Sequence, residues 1–271
     1  MSKTIKPLTN EQLKAKFPTL FTQEPHFEVS EKYHFIPTID VIEEIRFHNW
    51  YPVSVSVANV RDEEKEGFQQ HCVRFRHFED LLNPKDNAVE LLLFNSHDRS
   101  KSFSISAGIF RFVCANGLVI SDSVFEAYKI KHLGERDNDV ANAVANITAI
   151  KPKLMKKIEK LESITLNQSE KESFAKYSIP LRFEEHLEIN HNDLLIPHRV
   201  EDSKDDLYTV LNVIQENLLR GNISGINKDT KRRFTSKEIT SISKDTEVNK
   251  GIWDIAEKIA SIKDSNYLVA A

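Results

Sequence analysis

The spacing of hydrophobic and polar residues predicts a helix and then an antiparallel sheet in the first half of the chain. Ile42 belongs to the apolar stripe of the helix, for which Thr38 is the predicted N-cap. From Val53 onward apolar and polar residues alternate, which is typical of a strand with one buried face. Three further apolar runs continue the meander: 68–78, 88–94 and 102–114. The pair Asn116-Gly117 is the predicted hairpin turn before a last short strand.

Helical spacing dominates the second half. Between about residues 137 and 161 an apolar residue recurs every three or four positions, and Pro152 is expected to kink or split this helix because it lacks an amide donor. Three more helices are predicted: 169–177, 205–220 and 248–262. Gly221 is the predicted C-terminal cap of the second of these. The polar segment 222–243 predicts a loop.

These elements together predict an α+β fold. An antiparallel β-meander packs against long helices and is followed by a mostly helical C-terminal half. We divide the chain into an N-terminal arm at 1–35, an antiparallel sheet region at 36–135 and a helical region at 136–271. The helical region is expected to pack on the sheet, so that the last two regions form one composite domain.

Composition places the chain among ordinary globular proteins, with 40% hydrophobic and 29% charged residues. No apolar run is long enough to predict a membrane span, and the N-terminus lacks the apolar core of a secretory signal. Cys72 and Cys114 lie in apolar, strand-like stretches and are interpreted as buried free thiols of a reducing compartment. We therefore expect a cytoplasmic protein that does not associate with membranes.

Charge and motif content narrow the classes of function. A net charge of −4 argues against a generally basic nucleic-acid coat protein, although it leaves room for a local basic groove. The seven glycines form neither a dinucleotide-binding fingerprint nor a P-loop, and no nucleophile elbow occurs. No cofactor is expected, and an enzyme is the less favoured alternative.

Three arginines are candidates for phosphate binding. Arg74 and Arg76 share one face of a predicted strand, and Arg111 lies on a later strand. Planar guanidiniums suit phosphate oxygens, and aromatic residues such as Phe78 and Phe110 lie between them for base stacking. The alternative is a solvated sheet face on which the arginine stems cover aromatic rings.

A second basic group lies in the predicted loop. Lys231, Arg232 and Arg233 precede Phe234, with further lysines nearby. This segment is the candidate for a flexible loop that grasps phosphates, which would make binding salt-dependent. The alternative is a solvated run of charges.

Two polar motifs stand out. Asn95, His97 and Asp98 follow a strand and suit either a metal or acid–base site, or an Asx-type turn that closes the strand end. Neighbouring residues of an extended chain point to opposite faces, and no ligand spacing elsewhere completes a site, so no metal is expected. Asn116 belongs to the same group of polar candidates.

The second polar motif lies on the helix at 205–220. Asn212, Glu216 and Arg220 fall at i, i+4 and i+8 and form one stripe, with Gln215 and Asn217 beside it. Glu216 and Arg220 form an intrahelical ion pair in the simplest interpretation. The alternatives are a buried polar network or a subunit contact.

Several of these segments resemble a known family. The strings are NSHDRS at 95–100, GIFRFVCANGL at 108–118, NVIQENLLRG at 212–221 and NKGIW at 249–253. They resemble the core motifs of the phage/plasmid-like protein family, domain of unknown function 932, which overlaps the related prophage domain of unknown function 945. Arg99 and Asn222 stand where that family has glycine, which argues against close approach of a ligand there.

The resemblance implies an accessory protein of prophages and plasmids, found beside DNA-processing and anti-restriction functions. Our first hypothesis is a protein that binds single-stranded DNA and promotes annealing as a homo-oligomer, because the order of elements is similar to phage single-strand annealing proteins. The second is an interaction protein that disables a host defence complex. The third is a metal-dependent nuclease built on His97 and Asp98.

Overall fold

The computed structural model describes residues 6–29, 33, 35–60, 62–111, 116–119 and 137–270. The helices are α1 (Asn10–Lys16), α2 (Thr38–Phe47), α3 (Phe78–Leu82), α4 (Asp137–Ser163), α5 (Gln168–Ser178), α6 (Leu207–Arg220) and α7 (Ile242–Ala270). The strands are β1 (Trp50–Val57), β2 (His71–His77), β3 (Asn87–Asn95), β4 (Ser104–Arg111), β5 (Asn116–Val119), β6 (Leu187–Ile189), β7 (Ser224–Asn227) and β8 (Arg233–Thr235). The predicted α+β class is confirmed.

The chain forms two compact units. The sheet unit contains the described residues 6–111 and 137–151, and the helical unit contains the described residues 116–119 and 152–270. Helix α4 continues from one unit into the other at Pro152. The domain boundaries derived from the sequence remain a prediction. None of the helices in the described part of the chain is long and apolar enough to cross a membrane.

The sheet unit is built on the antiparallel strands β1 to β4, which pair in sequence order. Phe75 lies opposite Leu91, and Leu91 lies opposite Ala107, so that one face of the sheet carries a continuous apolar row. These three side chains are buried. Helix α2 adds the buried Ile42 and Ile45 to the core of this unit. Burial of such a face is the main stabilising term for an antiparallel sheet.

The helical unit is organised around α6. Every residue from Leu207 to Leu218 is buried, and α6 packs against α7, whose Trp253 is fully buried. The helix ends at Gly221, with φ +77°, as predicted. A Cβ atom there would lie 2.6 Å from the carbonyl of Lys237, so the position has no room for a side chain. Strands β6, β7 and β8 form a small antiparallel sheet in this unit.

Three local predictions are wrong, and a fourth is wrong in one of its two forms. Thr38 is the first residue of α2 rather than its cap, because its side chain is committed to the interior. Asn116 and Gly117 belong to strand β5, since an Asn-Gly pair permits a turn without requiring one. Pro152 lies inside α4, so the helix is not split there, and a kink at this residue stays a prediction. The segment 222–243 contains β7 and β8, which are too short to show a periodic signal.

The cysteine prediction is tested for one thiol. Cys72 is a free thiol, buried at 5% exposure in β2, as predicted. Cys114 lies outside the described residues.

Candidate functional site

Two arginines and a glutamate form a buried ion-pair cluster on the sheet. Glu90 of β3 lies opposite Arg76 of β2. Its carboxylate accepts hydrogen bonds from Arg76 Nη2 and from Arg74 Nη1, each at 2.8 Å. The Glu90 and Arg76 side chains are each 1% exposed, whereas the Arg74 side chain is 15% exposed. A desolvated carboxylate between two guanidiniums is held by charge-assisted bonds on both sides.

The arginines predicted to line a phosphate track are therefore mostly internal. The guanidinium carbon of Arg76 lies 4.3 Å from the centroid of the Phe110 ring, so its stem and head cover an aromatic residue. Arg111 is also buried. Neither Arg76 nor Arg111 is exposed to a phosphate backbone in this structure, and a phosphate-binding role for the three arginines stays a prediction. Glu90 is the one charged residue in the apolar run 88–94, and this isolated charge is the sequence signal of an internal ion-pair partner.

The polar motif at the end of β3 contributes Asn95 and His97 to a buried cluster. The centre of this cluster is the Thr38 hydroxyl group, which two histidines contact. Thr38 Oγ1 lies 2.8 Å from His71 Nε2 and 3.3 Å from His97 Nε2. Asn95 Nδ2 donates to the same oxygen at 3.0 Å. All four side chains are inaccessible to solvent. This cluster holds the start of α2 against the ends of β2 and β3.

The hydrogen-bond pattern assigns one tautomer to each histidine. His71 Nδ1 faces the carbonyl of Gln69 at 3.0 Å and must donate, so its Nε2 accepts from the Thr38 hydroxyl. The remaining lone pair of Thr38 accepts from His97 Nε2–H. Burial lowers the pKa of His71 to about 4. Burial, and then the nearby His71 ring, lowers the pKa of His97 to about 3. Both rings are neutral at neutral pH.

Asp98 interacts with the two histidines through its charge, while its hydrogen bond lies elsewhere. Its Oδ1 accepts from the backbone N–H of Ser100 at 2.9 Å, which is the Asx turn given as one alternative. Arg99, inside that turn, has φ +64°. The described residues contain no group of three His, Cys, Asp or Glu side chains that could hold a metal ion. The side chain of Asn116 lies outside the described part of the chain.

The polar stripe of α6 forms a second buried network. Glu216, whose side chain is 1% exposed, accepts two hydrogen bonds from Arg199, each at 2.7 Å. Arg220 Nη1 lies 2.5 Å from the same carboxylate, so the predicted intrahelical pair is confirmed. Arg199 also donates to Asp202 at 2.8 Å. Bonding to Glu216 raises the pKa of Arg199 above its usual value.

Asn217 fixes the segment before α6 through its side-chain amide. The two N–H groups of its Nδ2 lie 3.0–3.1 Å from the carbonyls of Leu194, Ile196 and Val213, so that two of these carbonyls share one N–H. Its Oδ1 accepts from His198 Nε2 at 2.8 Å. This one amide therefore holds the end of the 3-10 helix His191–Leu195 and the residues that follow it.

Two other amides of α6 make internal bonds. Asn212 Nδ2 donates to the carbonyl of Tyr208 at 2.7 Å, and Gln215 Nε2 donates to Asn249 Oδ1 of α7 at 2.5 Å. The motif residues on α6 thus form a buried polar network, which was one of the two alternatives to a simple intrahelical ion pair. Arg199 is outside the helix and was missed.

The basic segment forms a β-hairpin, which we call the basic hairpin (residues 224–235). Asn227 holds its turn, because Asn227 Oδ1 accepts from the backbone of Asp229 and of Thr230 at 3.0 and 2.9 Å. Lys231 has φ +57° within the turn. The predicted loop is therefore an ordered hairpin with defined hydrogen bonds.

Cationic side chains of the basic hairpin face solvent. Lys231, Arg232 and Arg233 are exposed. None of them forms an ion pair with another described residue. The hairpin contains four cations and one carboxylate, a net charge of +3 in a chain whose net charge is −4. Charge of one sign is therefore concentrated on this short element.

An open groove lies beside the basic hairpin. Its volume is about 780 Å³. Arg233, Ile226 and Glu188 line it along the sheet, and Asp193 with Asn190 lines one end. The groove brings one of the predicted phosphate-binding residues together with carboxylates that the sequence analysis did not single out.

The fold and the two buried networks define an α+β protein whose sequence motifs are mainly internal. The chain belongs to the family described as "Domain of unknown function (DUF932)", which it matches over residues 25–253. It is 31% identical over 255 residues to two Escherichia coli K12 proteins, "UPF0380 protein YfjQ" and "UPF0380 protein YafZ", covering 94% of this chain and 92% of each relative. No solved structure matches it. The resemblance seen in the motifs is confirmed.

Proposed function

We propose that this protein binds nucleic acid, single-stranded DNA in the first place, and that the basic hairpin carries the phosphate contacts. The supporting observation is the set of three consecutive exposed cations, Lys231, Arg232 and Arg233, without a carboxylate partner in the described part of the chain. Basic side chains that are exposed and unpaired are the groups that replace counterions at a phosphate backbone.

The overall negative charge does not oppose this role. Charges are screened beyond about 8 Å at physiological ionic strength, so a phosphate at the hairpin responds mainly to the cations within that distance. Three phosphate contacts on a single strand give a slope of about −2 in a plot of log affinity against log salt concentration. Affinity should then fall about 20-fold between about 50 and about 200 mM salt.

The test is fluorescence anisotropy with a labelled single-stranded oligonucleotide of thirty nucleotides. Lys231→Glu with Arg232→Glu should abolish most of the binding and flatten the salt dependence. The matched control is Lys153→Glu with Lys156→Glu, which makes the same change in net charge on the exposed face of α4. Equal losses in both double variants would mean that net charge, not the hairpin, governs binding. Absence of binding by the unaltered protein at low salt would refute the proposal.

Annealing is a further part of the proposed function. It requires two complementary strands to be held by one protein or by an oligomer of it. Mixing labelled complementary oligonucleotides with the protein and following duplex formation tests it directly. If the protein does not accelerate duplex formation over the protein-free rate, annealing is refuted. Single-strand binding then remains as the proposed function.

A second candidate is an interaction protein directed at a host defence complex. Exposed apolar side chains of the sheet unit favour it, namely Phe47 at 85%, Phe78 at 46% and Leu82 at 62% exposure. Phe47→Ser with Leu82→Ser should then abolish protection against the defence system in cells while leaving DNA binding intact. A cellular phenotype that depends only on the hairpin cations would contradict this candidate.

A further inference from the structure

The exposed face of the small sheet carries a mixed row of side chains. Ile226 of β7 lies between Glu188 of β6 and Arg233 of β8 in the strand register. Directly opposed residues share a face of an antiparallel sheet, so these three side chains line the same surface. Ser224 and Thr235 form the next pair, two residues along on this face. All five are exposed.

The other face of this sheet is partly covered by its own side chains. A Cβ atom on Gly225 would lie 2.7 Å from the Phe234 ring and 2.7 Å from Ile189 Cδ1, so these side chains pack over the glycine. The Phe234 ring also lies near the Phe183 ring, with centroids 6.4 Å apart. Phe234 is half-buried by this packing and also contributes to the lining of the groove. The apolar side chain on the open face is Ile226, which is 39% exposed.

The charged groups of the groove retain their capacity to bind a ligand. Two strand spacings of about 4.8 Å place the backbones of Arg233 and Glu188 about 10 Å apart, on either side of Ile226. Asp193 accepts only a long bond of 3.4 Å, from Asn190 Nδ2. None of these three charged side chains forms an ion pair with another described residue. One cation and two carboxylates therefore face the same open volume of about 780 Å³.

We propose that this groove takes an unpaired nucleobase of the bound strand, with Arg233 on the adjoining phosphate, Ile226 against the base and the Glu188 and Asp193 carboxylates on its donor edge. This inference rests on the proposed function and names the substrate class for it. The volume lies within the usual range of small-molecule sites, about 300–1,000 Å³. A base in a duplex would have to unpair and unstack before it entered, so the groove favours single strands.

The carboxylates add a preference among bases. Ionised carboxylates only accept hydrogen bonds, so they suit the exocyclic amino groups of cytosine, adenine and guanine. Thymine presents two carbonyls beside a single N–H and would place an acceptor against an acceptor. Among pyrimidines, which differ little in stacking, cytosine should therefore bind better than thymine.

The experiment compares three labelled fifteen-nucleotide strands of equal charge: oligo-dC, oligo-dT and an abasic strand. Anisotropy titrations of the full chain should give at least tenfold tighter binding of oligo-dC than of the abasic strand, and about fivefold tighter binding than of oligo-dT. Glu188→Gln with Asp193→Asn should bring the dC-to-dT ratio close to one. Removal of two negative charges raises the affinity for the phosphates of every strand. Because oligo-dC and oligo-dT gain equally, the dC-to-dT affinity ratio does not contain this general effect.

The control is Glu184→Gln with Glu185→Gln, which removes two exposed carboxylates just before β6 and outside the groove. It should leave the dC-to-dT ratio at its original value. Equal affinity for oligo-dC and the abasic strand would overturn the base site while leaving phosphate binding by the basic hairpin in place. Failure of all three strands to bind would overturn the proposed function as well.

Discussion

Replacing Glu216 by glutamine should destabilise the helical unit by about 3 kcal/mol. The side chain is 1% exposed and accepts two bonds from Arg199 at 2.7 Å. Glutamine has one acceptor oxygen, so it keeps one neutral bond of about 1 kcal/mol in place of two charge-assisted bonds of about 1.5–3 kcal/mol each, a loss of about 2–5 kcal/mol. Arg220 adds less than about 1 kcal/mol because its side chain is half-exposed.

Urea denaturation followed by tryptophan fluorescence measures this loss, because the chain has two tryptophans, one in each unit. Trp253 lies in the helical unit and Trp50 in the sheet unit. In a Trp50→Phe background the signal reports the helical unit alone. With a urea m-value of about 2 kcal/mol/M, Glu216→Gln should lower the midpoint by about 1.5 M.

The matched comparison is Arg220→Met, which removes only the half-exposed partner and should lower the midpoint by less than about 0.5 M. A midpoint for Glu216→Gln within about 0.3 M of the reference would refute the interpretation of this network.

The remaining predictions concern the sheet unit and the two positions where the family has glycine. Because His71 and His97 have folded-state pKa values of about 4 and about 3, against about 6.5 when unfolded, the unfolded chain binds more protons below pH 6.5. Stability is fully present above that pH and should fall by about 2 kcal/mol per histidine between about pH 6.5 and 5. Urea midpoints followed by Trp50 fluorescence should show this decline, and a double His→Gln variant that declines equally would contradict it. Arg99→Gly should stabilise by about 0.5–1 kcal/mol, because Arg99 has φ +64° and glycine adopts that region without strain. Asn222→Gly, at φ +60°, should change stability by less than about 0.5 kcal/mol, since asparagine tolerates this region; thermal melts that show the same gain for both would argue against the strain explanation.

Local and periodic features were predictable from the sequence. The antiparallel strands, the helix at α6 and its cap at Gly221 follow from spacings and residue preferences that act within a few positions. The Asx turn at Asp98 and the pair of Glu216 with Arg220 are local in the same sense. Each depends on neighbours that the sequence itself places within reach.

Features that depend on strand register were not predictable in the same way. Glu90 becomes the partner of Arg74 and Arg76 only because β2 and β3 pair with Glu90 opposite Arg76. Thr38 has the residue type and position of a cap, yet two histidines from distant parts of the chain bind its hydroxyl. Sequence spacing contains no information on which distant side chains meet in the interior.

The structure also explains why the family has glycine at two positions where this chain has another residue. Arg99 and Asn222 both have positive φ, so glycine at these positions serves the backbone conformation. From the sequence alone, the absence of glycine at these positions argues against close approach of a ligand. The left-handed conformation accounts for glycine there without any ligand, so the substitution has no bearing on ligand binding.

The motifs that place this chain in its family and the residues that carry the proposed function are largely different. His97, Asn217 and Glu216 belong to motif strings and form internal networks. Lys231 and Arg232 lie between the motif strings and face solvent. Membership of the family therefore indicates a shared fold, whereas the proposed nucleic-acid binding would depend on the charge of one hairpin. A relative that retains the internal networks but lacks basic residues in this hairpin should fold in the same way and fail to bind a single strand.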